Sequence, residues 1–178
     1  MPRTTSLAMT PPPFLPAEQE EAWSRLEYVV RQGWRCGLVV GPAETGKTVL
    51  LEAVAKSRTT LQVCRLDVAG WTRDDFAEQA AAALGDSVNG PWATLEDWFL
   101  GAAVTEQRSL WIIDHLDQSA DDLVLSWRRL MKLAEATRSP ATFVGAVRDI
   151  AEVADLCDLI DLTCELPAWS ATTTAAYL

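Results

Sequence analysis

The stretch Gly41-Pro42-Ala43-Glu44-Thr45-Gly46-Lys47-Thr48 decides the fold, because it satisfies the pattern G-x-x-x-x-G-K-[ST] at every fixed position. Gly41 and Gly46 permit backbone angles that a side chain would block. The loop is then expected to turn its N–H groups inward as an anion-binding nest, and a helix beginning near Lys47 adds its positive dipole end. In that geometry Lys47 reaches the β- and γ-phosphates of a nucleotide, and the Thr48 hydroxyl ligates Mg2+. Val49 closes the expected nucleotide-binding set, which also takes in Pro42, Ala43, Glu44 and Thr45. Glu44 is out of place, since it sets a carboxylate beside a site built for anions; either it weakens binding or it points to solvent. The bland alternative is a chance glycine turn, and the flanking sequence argues against it.

Before the loop runs Cys36-Gly-Leu-Val-Val40, a short apolar segment that reads as a buried parallel strand. After it a helix is expected over Thr48–Ala55, with Val49, Leu50 and Leu51 pointing inward. Further upstream, Pro16 opens a helix near Ala17, whose stripe is Ala22, Trp23, Leu26, Val29 and Val30, and Gly33 stops it. Downstream, strands are expected at Leu61–Asp67, Leu110–Asp114, Ala141–Val147 and Leu159–Leu166. Helices fall between them. One begins at a Thr72/Asp75 capping box and ends by Gly85, and one is capped by Thr94 and runs to about Val104. Another covers Asp121–Ala136, with Leu123, Leu125, Trp127, Leu130 and Leu133 inward, and a short one lies near Ile150–Leu156. Strands alternating with helices imply an α/β fold of three layers, a mostly parallel central sheet with helices on both faces. The domain is expected over residues 16–169, after a Pro/Thr/Ser-rich, disordered arm at 1–15 and before the start of a truncated lid helix at 170–178.

The chain has 178 residues and a formal charge of −10. A surface that acidic repels phosphate backbones, so tight non-specific nucleic-acid binding is disfavoured. Arg128, Arg129 and Lys132 form the densest basic cluster and read as a solvated helix face. The four cysteines contain no CxxC pair, and Cys36 and Cys64 lie in strand-like runs, so they read as core residues. A single histidine, His115, argues against a His-based zinc site. No secretory signal and no bilayer-spanning run is visible, which points to the cytoplasm. The eight tryptophans are spread along the chain and read as core or half-buried anchors.

Asp114 ends the apolar run Leu110-Trp-Ile-Ile-Asp114 and is the expected second Mg2+ ligand, an arrangement in which an acidic strand lies beside the phosphate-loop strand. The interval between Thr48 and Asp114 leaves room for one further strand between those two. With the helix, the loop and Asp114 in place, the chain resembles an AAA+ P-loop ATPase, and within that class the accessory ATPases of type II secretion systems and the transposition-helper ATPases. The resemblance rests on Phe14–Ala22, on Trp111-Ile-Ile-Asp-His-Leu-Asp117, on Thr142-Phe-Val-Gly-Ala146 and on Leu166-Pro-Ala-Trp-Ser170. It implies ATP and Mg2+ as ligands, with Lys47, Asp114 and the residue after it as catalytic groups.

The departures from the family are as informative as the matches. The family's water-orienting glutamate falls on His115, its strand-end glutamine on Ala146 and an arginine roughly on Leu159. His115 is either a tolerated polar replacement or a group that positions water for slow hydrolysis; Asp117 is the other candidate for the lost base. The resemblance therefore implies an ATPase core with weak turnover. The alternatives are a nucleotide-dependent regulatory or scaffold module without turnover, with a protein partner or self-association, and a small-molecule kinase.

Overall fold

The computed structural model describes residues 17–57, 60–85, 90–120 and 122–168. The arm at 1–15, Pro16 and the lid segment at 170–178 lie outside the described residues. The elements are α1 (Ala17–Gln32), β1 (Cys36–Val40), α2 (Lys47–Lys56), β2 (Gln62–Asp67), α3 (Arg73–Ala82), α4 (Pro91–Thr105), β3 (Ser109–Asp114), α5 (Leu123–Thr137), β4 (Ala141–Val147) and β5 (Leu162–Glu165). Two 3-10 segments, Leu116–Gln118 and Ile150–Leu156, follow β3 and β4. Among the described residues no helix is long and apolar enough to cross a membrane.

The five strands pair in the order β2-β3-β4-β1-β5, and every pairing is parallel. Side chains of a strand point to opposite faces in turn, so the continuous apolar run of β3 feeds two cores at once. Leu110 and Ile112 pack under α1 and α2 with Trp23, Leu26, Leu50 and Leu51. Trp111 and Ile113 pack under α3, α4 and α5 with Phe76, Phe99, Trp127 and Leu130. The three-layer α/β reading therefore holds, with one core on each face of the sheet.

The topology corrects one expectation. The strand between β1 and β3 is β4, which comes late in the chain; β2, which lies between them in sequence, is the outer edge strand beyond β3. Asp114 is thus not on the strand next to the phosphate loop. Local chemistry explains the remaining differences. Thr94 does not cap α4: Gly90 does, and Pro91 takes the first turn, where its missing N–H costs nothing, while the Thr94 hydroxyl donates back to the Gly90 carbonyl. On α5 the buried stripe is Leu123, Val124, Trp127, Leu130, Met131 and Ala134, so Leu125 is exposed and Leu133 only partly covered. Val49 also faces outward from α2 instead of inward. The last strand is shorter than expected, and Leu159 is buried in the turn before it. The Thr72/Asp75 capping box forms as expected.

The basic cluster is used internally. Arg128 pairs with Asp158 at 2.5 Å, Arg129 lies 4.0 Å over the Trp92 ring and Lys132 pairs with Glu135 at 2.8 Å. Cys36, Cys64 and Cys164 are buried free thiols; burial pushes Cys64 and Cys164 up to about 11.

Candidate functional site

The loop after β1 opens onto a cavity of about 540 Å³, lined on one side by Ala43, Glu44, Gly46, Lys47, Thr48 and Val49. The opposite side is formed by the segments that leave β3 and β4 and carries Asp114, His115, Asp117 and Arg148. The parallel sheet brings these segments together, because the carboxyl ends of all its strands face the same way. Sequence positions far apart thus meet at one edge.

Gly46 takes φ +84°, in the left-handed region, and a Cβ there would meet the Gln19 amide nitrogen at 2.2 Å. At Gly41 a Cβ would lie 2.5 Å from the Leu166 carbonyl oxygen, so both motif glycines are required by close approach. Glu44 also has positive φ, at 63°, and is exposed, so its carboxylate stands at the rim. The first amides of α2 follow Gly46 directly, and no acidic residue occupies that first turn to offset the dipole.

Lys47 Nζ donates to the Gly41 and Pro42 carbonyls, each at 2.7 Å, and so folds back on its own loop. Burial holds its ammonium below the ordinary lysine value; Asp117 opposes that, Arg148 adds to it, and Asp114 and Glu152 oppose it more weakly. Thr45 donates its hydroxyl to the Pro42 carbonyl at 2.9 Å, tying the loop's start to its end.

Asp114 is buried at the end of β3 and accepts the His115 backbone N–H at 2.9 Å. His115 has φ +60°, and its Nδ1 lies 2.8 Å from the carboxylate of Asp67, the register partner of Asp114 on β2. A carboxylate only accepts, so Nδ1 carries the proton there. Among the described residues no group of three or more His, Cys, Asp and Glu side chains is placed to hold a metal alone. A divalent ion in this cavity would need phosphate oxygens to complete its shell, as Mg2+ bound with a nucleotide does.

Ala146 is buried inside β4, beside its register partner Val39, and is not among the cavity's lining residues; Arg148, just beyond the strand, is. The sequence reading missed Arg148. It also missed Gln19 on α1, which is 3% exposed, lines the cavity and donates its amide to the Thr45 carbonyl at 2.8 Å. Nothing in their local sequence marks either residue. Leu159, by contrast, is buried in the core on the α5 face and is not among the cavity's lining residues.

A parallel sheet flanked on both faces, with a glycine-lysine loop between β1 and α2 and acidic residues at the facing strand end, defines a P-loop nucleotide-binding core. Residues 30–153 match the family model described as AAA domain, well over half of the chain, and the chain belongs to that family. Among solved structures it is similar to Cdc6p from Pyrobaculum aerophilum, at TM-score 0.58 and 16% identity, over 89% of this chain and 47% of that one. It is similar to a chain of Drosophila ORC bound to DNA, at TM-score 0.59 and 14% identity, over 88% of this chain and 95% of that one. A third likeness is to PCH-2 of C. elegans, at TM-score 0.57 and 14% identity, over 92% of this chain and 46% of that one. The chain therefore spans about half the length of Cdc6p and of PCH-2. No curated protein matches it.

Proposed function

We propose that the chain is an AAA+-type ATPase core that binds ATP with Mg2+ and hydrolyses it slowly. The observation that carries this is the shared cavity: Lys47 and Thr48, at the start of α2, line the same space as Asp114 at the end of β3. A triphosphate entering it would draw Lys47 off the Gly41 and Pro42 carbonyls, because a charged phosphate oxygen is the stronger acceptor. Thr48 and Asp114 would hold Mg2+ between loop and strand end; the ion, when bound, neutralises charge on the β- and γ-phosphates. Val49, exposed at the cavity mouth, offers apolar surface beside the loop.

Slow turnover follows from the group after Asp114. His115 replaces a carboxylate by an imidazole whose Nδ1 is engaged by Asp67. The order of motifs, similar to that of type II secretion accessory ATPases and transposition helpers, supports adenine as the base. Nothing among the described residues singles out the kinase alternative, and a turnover-free regulatory module would share the same binding site.

The test is calorimetry with ATP and Mg2+ alongside phosphate release. Lys47→Ala is expected to abolish binding; retained affinity contradicts the reading. His115→Glu is expected to raise phosphate release about tenfold or more, the scale of a positioned general base. A variant no faster than wild type removes His115 from the explanation of slow turnover.

A further inference from the structure

The cavity holds a charge pair that the reading above leaves without a task. Arg148 Nε lies 2.5 Å from Asp117 Oδ2, and the Asp117 side chain is only 6% exposed while that of Arg148 is 51% exposed. Both line the cavity that Lys47 enters. Asp117 sits on the 3-10 turn Leu116–Gln118 that follows β3, and Arg148 directly follows β4, so adjacent strands of the sheet carry the two halves. Of the carboxylates acting on the Lys47 ammonium, Asp117 acts most strongly, ahead of Asp114 and Glu152. Asp117, Arg148 and Lys47 thus line the one cavity that a terminal phosphate would enter.

Resting on the ATPase reading, we propose that the Asp117–Arg148 pair is a nucleotide-responsive catalytic switch: the γ-phosphate takes Arg148 from Asp117, and the released Asp117 carboxylate orients the attacking water in place of the missing glutamate. The exchange is chemically matched, since a guanidinium binds a phosphate in the same forked geometry as a carboxylate, and the more exposed partner is the one that must move. ADP, with no γ-phosphate, leaves the pair closed. In the hydrolytic step the water oxygen forms a bond to the γ-phosphorus, and the bond from that phosphorus to the β,γ-bridging oxygen breaks. The bond's electrons leave on ADP. A water proton passes to Asp117 and on to solvent, so phosphate and one proton are the other products. In this step the proton acceptor is the Asp117 carboxylate and not the His115 imidazole, whose Nδ1 is hydrogen-bonded to Asp67.

The experiment measures ATP and ADP affinity by calorimetry and phosphate release by the full chain, in the wild type, Arg148→Ala, Asp117→Asn and Asp117→Glu. Arg148→Ala is expected to weaken ATP binding about tenfold, with ADP binding changed less than about twofold. Asp117→Asn is expected to keep or tighten ATP binding, because Arg148 is no longer held, and to cut phosphate release at least about tenfold; Asp117→Glu restores part of it. Equal losses for ATP and ADP in Arg148→Ala overturn the exchange. Unchanged phosphate release in Asp117→Asn, or wild-type release no higher than that of Lys47→Ala, overturns the role of Asp117. Failure of the wild type to bind ATP at all would instead overturn the ATPase reading, so the two failures are distinguishable.

Discussion

The Gln19 side-chain amide donates to the Thr45 carbonyl at 2.8 Å and so ties the first helix to the phosphate loop. Gln19 is 3% exposed in spite of its polarity, and it fills the space that the missing side chain of Gly46 leaves open. A buried amide in that position is satisfied by the loop and in turn fixes where the loop's backbone points.

Gln19→Ala is therefore expected to loosen the loop. Loss of one hydrogen bond of this kind is worth about 1 kcal/mol, or roughly a fivefold loss of ATP affinity. Calorimetry checks this; unchanged affinity would make Gln19 a packing residue only.

The Lys47 ammonium gives nucleotide binding a pH dependence of known sign. Burial, the largest influence, lowers its value from the ordinary 10.5 in the free protein. A lysine with a lowered value loses its charge sooner as pH rises, and the neutral amine no longer attracts phosphate. ATP affinity should thus start to fall on the alkaline side at a lower pH than for an unperturbed lysine. Titrations from pH 8 upward would show it, and affinity constant up to pH 10.5 would contradict it.

Gly145 lies on β4 between β1 and β3, where the backbone is held on both sides. A Cβ at this position would meet Trp127 Cη2 at 2.3 Å, and Trp127 is fully buried with nowhere to go. Gly145→Ala is expected to destabilise the fold by about 1–3 kcal/mol, as overpacked cores do. Urea unfolding measures it, and a midpoint equal to wild type would show that α5 shifts freely.

Much of the site is visible in the linear chain. Gly41, Gly46, Lys47 and Thr48 stand at the fixed spacing of a single loop of backbone, the phosphate cradle proposed above, and such local geometry leaves a local signature. Asp114 is legible for a similar reason, as the first charge after an uninterrupted apolar run. Arg148 and Asp117 carry no such signature. Each is an ordinary polar residue after a strand, and their meeting at 2.5 Å depends on β3 and β4 being neighbours. Ala146, where the resemblance puts the family's strand-end glutamine, is buried in β4 and is not among the cavity's lining residues, whereas Arg148 lies just past the strand's end.

By itself the sequence determined the element types, the glycine-lysine loop between β1 and α2 and the acidic strand end, since backbone angles, caps and hydrophobic period act over a few residues. Tertiary structure alone decided that β4 separates β1 from β3, that Gln19 braces the loop and that Arg148 closes on Asp117. Strand order is settled by which faces bury together across the whole sheet, and no short window of residues carries that information.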